Sequence, residues 1–145
     1  MVDVESRIEI ARPRAEVAAY VLDQDTAPEW YDNIRSVEWK SPPPVRAGAQ
    51  FTFVARFLGS RLEYTYEVRE LIEGERFVMS TSDGPFAMET TYTWEDAPGG
   101  GTLMTLRNHG EPSGVSKLST PLMAKAMARA NRKDLKKLKQ ILEGR

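Results

Sequence analysis

The chain contains no cysteine, which excludes disulfides and thiol catalysis together. Histidine occurs once, at His109, so a Ser-His-Asp triad would have to run through it, and no serine sits in a G-x-S-x-G setting. One histidine with scattered carboxylates gives no metal-ligand spacing, and no Gly-rich loop follows a strand and opens a helix to hold phosphate. No apolar run approaches the roughly 18 residues of a membrane span. The first residues, MVDVESRIEIARP, carry acids where a secretory leader carries bases. These absences lead to the expectation of a cytoplasmic protein with no cofactor, no metal and no stable insertion into a membrane.

What is present suits an ordinary globular chain. Its 145 residues, 41% hydrophobic and 28% charged, are expected to form one domain over 1–145 that buries roughly two thirds of the unfolded surface. The net charge of −1 hides an asymmetry: residues 1–112 hold 11 Lys/Arg against 19 Asp/Glu, whereas 113–145 hold 9 against 2. The basic set includes Arg129, Arg132, Lys133, Lys136, Lys137 and Lys139. A nucleic-acid or acidic-lipid surface is one reading of it. A solvated helix face, with cations gathered where the helix dipole favours them, is the other, and no aromatic interleaves with these bases to stack on nucleotides. Nucleic acid is therefore not expected as a partner.

Period-two alternation dominates the first three quarters of the chain. Val2, Val4, Ser6, Ile8 and Ile10 alternate with charged residues in a half-buried strand. Pro13, Glu16 and the spacing of Val17, Tyr20 and Val21 predict a short helix over 13–22. A second is expected from Thr26 to Asp32, with Asp25 as cap and Pro28 in its first turn. Residues 34–41 read as a strand ended by Pro42, Pro43 and Pro44. Phe51, Phe53, Ala55 and Phe57 share one face, as do Leu62, Tyr64, Tyr66 and Val68 of the next strand, with Leu58-Gly59-Ser60 as the hairpin. Phe77, Met79 and Thr81 form a further face, followed after Asp83-Gly84-Pro85 by Phe86, Met88, Thr90, Tyr92 and Trp94. A turn with Pro98 and three glycines leads to the last strand, 102–108, with Met104 and Leu106 placed inward.

The C-terminal segment is helical, but its apolar stripe drifts. Val115, Leu118, Leu122 and Ala126 lie roughly 100° or more around the axis from Met127, Leu138 and Leu142. Pro121 supplies a reason, with Thr120 as cap of a main helix and 114–119 as a separate or kinked turn. Ala124, Ala126, Ala128 and Ala130 stand among Met123 and Met127. Alanine here serves helix propensity and close packing, or it leaves volume under an aromatic sheet that flexible methionines adapt to a guest.

The order strand, two short helices, six strands, long helix resembles the helix-grip fold of the START-like or SRPBCC superfamily, in its polyketide cyclase/dehydrase-like branch. Carrying the resemblance are Ile10-Ala11-Arg12-Pro13-Arg14-Ala15-Glu16-Val17, then Val21-Leu22-Asp23 with Pro28-Glu29-Trp30. Ser36-Val37-Glu38-Trp39, Ala47-Gly48-Ala49-Gln50-Phe51, Gly101-Thr102-Leu103 and Lys133-Asp134-Leu135-Lys136-Lys137-Leu138-Lys139 add to it in order. It implies an α+β fold in which a strongly curved, seven-stranded antiparallel sheet wraps around the C-terminal helix, with two short helices between strands 1 and 2. It also implies an apolar cavity for a small hydrophobic molecule such as a lipid, polyketide or quinone. No catalytic residue carries over.

The residues expected to line that cavity are Trp30, Phe51, Phe53, Phe57, Tyr64, Tyr66, Met79, Met88, Thr90, Tyr92, Met104, Met123 and Met127. Trp30 reads equally as a lid over the entrance or as packing. The tyrosines read as core residues whose hydroxyls find a partner, or as groups that orient a mostly apolar ligand. Arg107 joins Tyr64, Tyr66, Thr90 and Tyr92 as a candidate polar contact. His109 reads as a surface or mouth residue, or as a base if it faces inward, and Glu89 falls on the outward face. Three functions stay open: a binder or carrier, a cyclase/aromatase-type enzyme, and a protein-interaction module. The sequence leaves monomer and homodimer equally open.

Overall fold

A computed structural model of the chain describes residues 2–57, 60–81, 86–112 and 120–145, with the backbone alone at 57, 60, 86, 87, 111 and 112. Seven strands follow the expected alternation: β1 (Val2–Ile10), β2 (Ile34–Trp39), β3 (Gln50–Phe57), β4 (Ser60–Ile72), β5 (Arg76–Thr81), β6 (Phe86–Asp96) and β7 (Thr102–Pro112). They form one sheet in the order β1-β7-β6-β5-β4-β3-β2, antiparallel throughout. Register shifts between Ile34 and Ser36 and between Val68 and Glu70 add local twist to a sheet already biased to coil. The sheet curves around α3 (Thr120–Glu143). The fold is the α+β helix-grip architecture.

Between β1 and β2 lie α1 (Arg14–Leu22), a 3₁₀ turn (Gln24–Thr26) and α2 (Ala27–Trp30). Pro13 stands just outside α1 with extended backbone, one position earlier than expected. The second helix is shorter than 26–32 and its cap differs. Thr26 is its N-cap and makes no side-chain cap bond, while Asp23 caps the preceding 3₁₀ turn by accepting the Asp25 amide at 3.2 Å. The Asp25 carboxylate instead takes the Trp39 indole N–H at 2.7 Å, a partner fourteen residues away that local spacing does not show. Strand β2 stops at Trp39, before the prolines, and Lys40 and Ser41 both donate their amides to Gln50 O.

Inner-face residues Ile10, Phe51, Phe77, Tyr92, Trp94, Met104 and Leu106 meet Val17 and Val21 of α1 and Leu135, Leu138 and Leu142 of α3 in one core. Met104 and Leu106 are fully buried as expected. Gly101 explains the tight start of β7, since a Cβ there would stand 2.9 Å from Ile10 O. Thr102 Oγ1 then donates to Arg12 O at 2.7 Å.

The main helix after Pro121 is present. Its buried stripe, however, is Asn131, Asp134, Leu135, Leu138 and Leu142, and Leu122 is 72% exposed, so Leu122 does not continue an inward face. The expected separate turn at 114–119 with Val115 and Leu118, the Leu58-Gly59 hairpin and the Asp83-Gly84-Pro85 turn lie outside the described residues.

The C-terminal end of α3 is held by many bonds. Glu143 Oε2 accepts the Ala11 amide and Lys139 Nζ, at 2.8 and 2.7 Å. Arg12 donates to Glu143 O at 3.1 Å and to Arg145 O at 2.6 Å. Lys139 also reaches Glu9 O at 2.7 Å, and the Arg145 guanidinium lies 4.8 Å from the centre of the Tyr20 ring.

Candidate functional site

Packing under the sheet is uneven along its strands. Toward the C-terminal half of α3 the space is filled by Phe51, Phe77, Tyr92, Met104, Leu135 and Leu138, each 2% exposed or less. Toward its N-terminal half the facing helix residues are Met123, Ala126, Met127 and Ala130. The two alanines do not reach across, and a cleft of about 340 Å³ remains, at the lower end of small-molecule sites.

The sheet wall of the cleft comes from the ends of strands that point away from the packed core. Phe53 pairs with Tyr64 and Ala55 with Leu62 across β3 and β4, and Thr81 pairs with Met88 across β5 and β6. Tyr66, also on the wall, meets Phe53 edge-on at 5.4 Å. Tyr31, Asn33 and Ile34 close one side. Larger grooves of about 510 and 420 Å³ lie outside, against α1. Their walls include Asp23, Asp25 and Glu73, or Arg14, Glu73 and Glu75, groups that favour water over an apolar guest.

Of the residues expected around a cavity, Phe53, Tyr64, Tyr66, Met88, Met123 and Met127 line this cleft. Phe51, Met79, Tyr92 and Met104 share the right face but sit in the packed core. Trp30 is 3% exposed, packs on Tyr31 at 4.0 Å between ring centres, and is a packing residue rather than a lid. Among the described residues its Nε1 has no partner. Thr90 stands behind the wall, where its hydroxyl accepts from Asn108 Nδ2 at 2.9 Å. The Phe57 side chain lies outside the described set.

Two candidate polar groups point the other way. Arg107 is bound on the outer face of the sheet by both carboxylate oxygens of Asp3, at 2.8 and 2.7 Å, so it is not a cavity contact. His109 shares that strand parity and stands opposite Asp3 and Glu89, which are exposed.

Besides Tyr64 and Tyr66, polar groups that the strand pattern did not single out line the cleft or stand beside it. Asn131 Nδ2 donates to Asn108 Oδ1 at 2.6 Å, linking α3 to β7. The hydroxyls of Tyr31 and Tyr92 share a hydrogen bond. Burial pushes both phenols above their ordinary range, so both stay neutral. Asp134, 5% exposed, accepts the Asp32 amide at 3.2 Å. Burial raises its pKa to about 6, aided by the Asp32 carboxylate and opposed by that amide and by Lys133. A signal for Asn131 and Asp134 was present: both interrupt the apolar stripe that continues as Leu135, Leu138 and Leu142. Among the described residues no group of three or more His, Asp or Glu is placed to hold a metal ion, and no helix is long and apolar enough to cross a membrane.

The sequence model of the family described as polyketide cyclase / dehydrase and lipid transport matches residues 1–143. The chain belongs to that family. Solved structures of START-like fold superpose on this family member. TTHA0849 from Thermus thermophilus superposes with a TM-score of 0.80 at 21% identity, covering 95% of this chain and 94% of that one. A START superfamily protein from Mycobacterium smegmatis gives 0.76 at 17% identity, with 98% and 94% covered. The di-domain ARO/CYC protein BexL from the BE-7585A biosynthetic pathway gives 0.79 at 20% identity, and this family member covers 47% of its length. These likenesses show the fold. No curated protein matches the chain in sequence. Family and fold together support hydrophobic-ligand binding.

Proposed function

We propose that this protein binds or carries a small hydrophobic molecule, of lipid, polyketide or quinone type, in the cleft between the sheet and α3, without covalent chemistry. The observation that carries the reading is unfilled volume walled largely by Phe53, Ala55, Leu62, Met88, Met123 and Met127. Apolar wall left facing water forgoes burial worth about 25 cal/mol per Å², so its persistence beside a core packed tightly elsewhere points to an occupant. In this reading residues 1–145 act as one domain in the cytoplasm, with no nucleic acid as partner. The ligand-binding residues are Phe53, Tyr64, Tyr66, Met88, Met123 and Met127, to which Tyr31, Asn131 and Asp134 are added.

Native mass spectrometry of purified protein, set against the denatured mass and followed by solvent extraction, tests this. A reproducible small-molecule adduct that is lost in Met127→Trp supports the cleft. Failure of apolar dyes and extracted lipids to bind either form counts against it.

A second reading, a cyclase/dehydrase-type enzyme, is favoured by one feature: the Asp134 carboxyl in a largely apolar wall, its pKa raised by burial to about 6, which suits proton transfer. It requires that Asp134→Asn abolish turnover of a polyketide-like substrate while binding survives.

A further inference from the structure

Among the described residues, one carboxyl and no cation line the cleft. Among its described lining residues Asp134 is the one acid, and none is Lys, Arg or His. One of its oxygens accepts the Asp32 amide; no other hydrogen bond reaches it from the described residues. Lys133, its neighbour on the helix, is 74% exposed and lies 3.9 Å from the Asp32 carboxylate at the rim. The phenols of Tyr31 and Tyr92 face Asp134 from the segment after α2 and from β6, and its charge opposes their ionisation.

An ionised carboxylate in such a wall has lost hydration without gaining a charge partner. A ligand ammonium would restore the missing interaction through a charge-assisted N–H···O bond. A ligand carboxylate would meet like charge and find no basic group among the described lining residues. A neutral hydroxyl falls between the two. The remaining described wall is mostly apolar, interrupted by neutral groups such as Tyr64, Thr81 and Asn131, so the rest of the ligand is largely hydrocarbon or ring.

We infer that the cleft selects apolar molecules carrying an amine head over those carrying a carboxylate, and that Asp134 receives the amine N–H. This rests on the cleft being the ligand site, as proposed above. The choice between amine and carboxylate is a property of the helix residue Asp134.

Octylamine, 1-octanol and octanoate, matched in chain length, are titrated calorimetrically into the wild type, Asp134→Asn and Met127→Trp at about pH 7.5. Octylamine is expected to bind roughly tenfold tighter than octanol, as one charge-assisted bond gives, with octanoate weakest and all three lost in Met127→Trp. In Asp134→Asn the amine and the alcohol should bind within about twofold of each other. The same convergence is expected in the wild type at about pH 5, where Asp134, with its pKa near 6, holds its proton; that arm does not depend on how the variant folds. Equal amine and alcohol affinities in the wild type overturn the inference. So does an amine preference that survives Asp134→Asn, Met127→Trp or acidification. In those cases octanol binding that Met127→Trp blocks keeps the cleft as ligand site. If none of the three probes binds the wild type, the cleft reading and this inference fall together.

Discussion

Asn131 of α3 donates to Asn108 of β7 at 2.6 Å, and Asn108 passes the bond on to Thr90 of β6 at 2.9 Å. The helix is thereby fastened to the sheet where apolar packing gives way to the cleft. Replacing Asn131 with Leu leaves Asn108 Oδ1 without its donor in a partly buried site. The expected loss is about 1–2 kcal/mol, read by urea unfolding. Adding Asn108→Leu should cost less than the two single changes summed, because the second substitution removes the orphaned group.

Tyr31 and Tyr92 form a second polar pair, and Tyr92 is 2% exposed. Tyr31→Phe strands the Tyr92 hydroxyl among aromatic rings and should lower stability by about 1–3 kcal/mol. Tyr31→Phe with Tyr92→Phe should recover part of that loss. Near-UV circular dichroism and chemical unfolding distinguish this from general loosening of the core; additive effects of the two changes would show that the bond contributes nothing.

Asp134 makes stability depend on pH. Its folded pKa of about 6 exceeds the ordinary 3.8, so the folded chain holds the proton more tightly than the unfolded one and stability falls as pH rises through that window. The full shift is worth at most ~3 kcal/mol, and water at the open side of the cleft reduces it to about 1–2 kcal/mol. Asp134→Asn keeps an acceptor for the Asp32 amide and removes the charge. It should stabilise the protein by that amount at about pH 7.5 and change little at about pH 4. Urea midpoints that move equally at both pH values would refute the assignment.

Met127→Trp fills the cleft from the helix side. Apolar dye affinity should drop by roughly tenfold or more with the unfolding midpoint little changed. His109→Ala, on the outer sheet face opposite Asp3 and Glu89, should leave dye affinity within about twofold. A larger effect of His109→Ala than of Met127→Trp would move the ligand site away from α3.

Much of the fold was legible because side-chain direction in a strand has period two. That parity placed Met104, Leu106, Tyr92 and Trp94 inward, and they are buried. Depth along the strand has no such period. Phe51 and Phe53 share a face and a strand, yet Phe53 borders the cleft while Phe51 belongs to the packed end. What separates them is which helix residues stand opposite, the alanines 126 and 130 or the leucines 135 and 138, a relation between segments far apart in sequence. Asp25, in the 3₁₀ turn, gives the same lesson, since Trp39 of β2 took the carboxylate that local spacing assigned to a cap. Asn131 and Asp134 differ: two polar residues on an apolar helical stripe were visible in the sequence, and strand-based reasoning passed over them.

The bonds that gather at Glu143, Lys139 and Arg145 make α3 a lever with its fulcrum at one end. Twenty residues separate Glu143 from Met123, which at the rise of a helix is an arm of ~30 Å. A rotation of only about 3° at that end would carry Met123 through ~1.6 Å, a displacement that the Asn131–Asn108 bond, part-way along the arm, resists. The chain thus joins a closely bonded root to a tip whose position sets the width of the cleft.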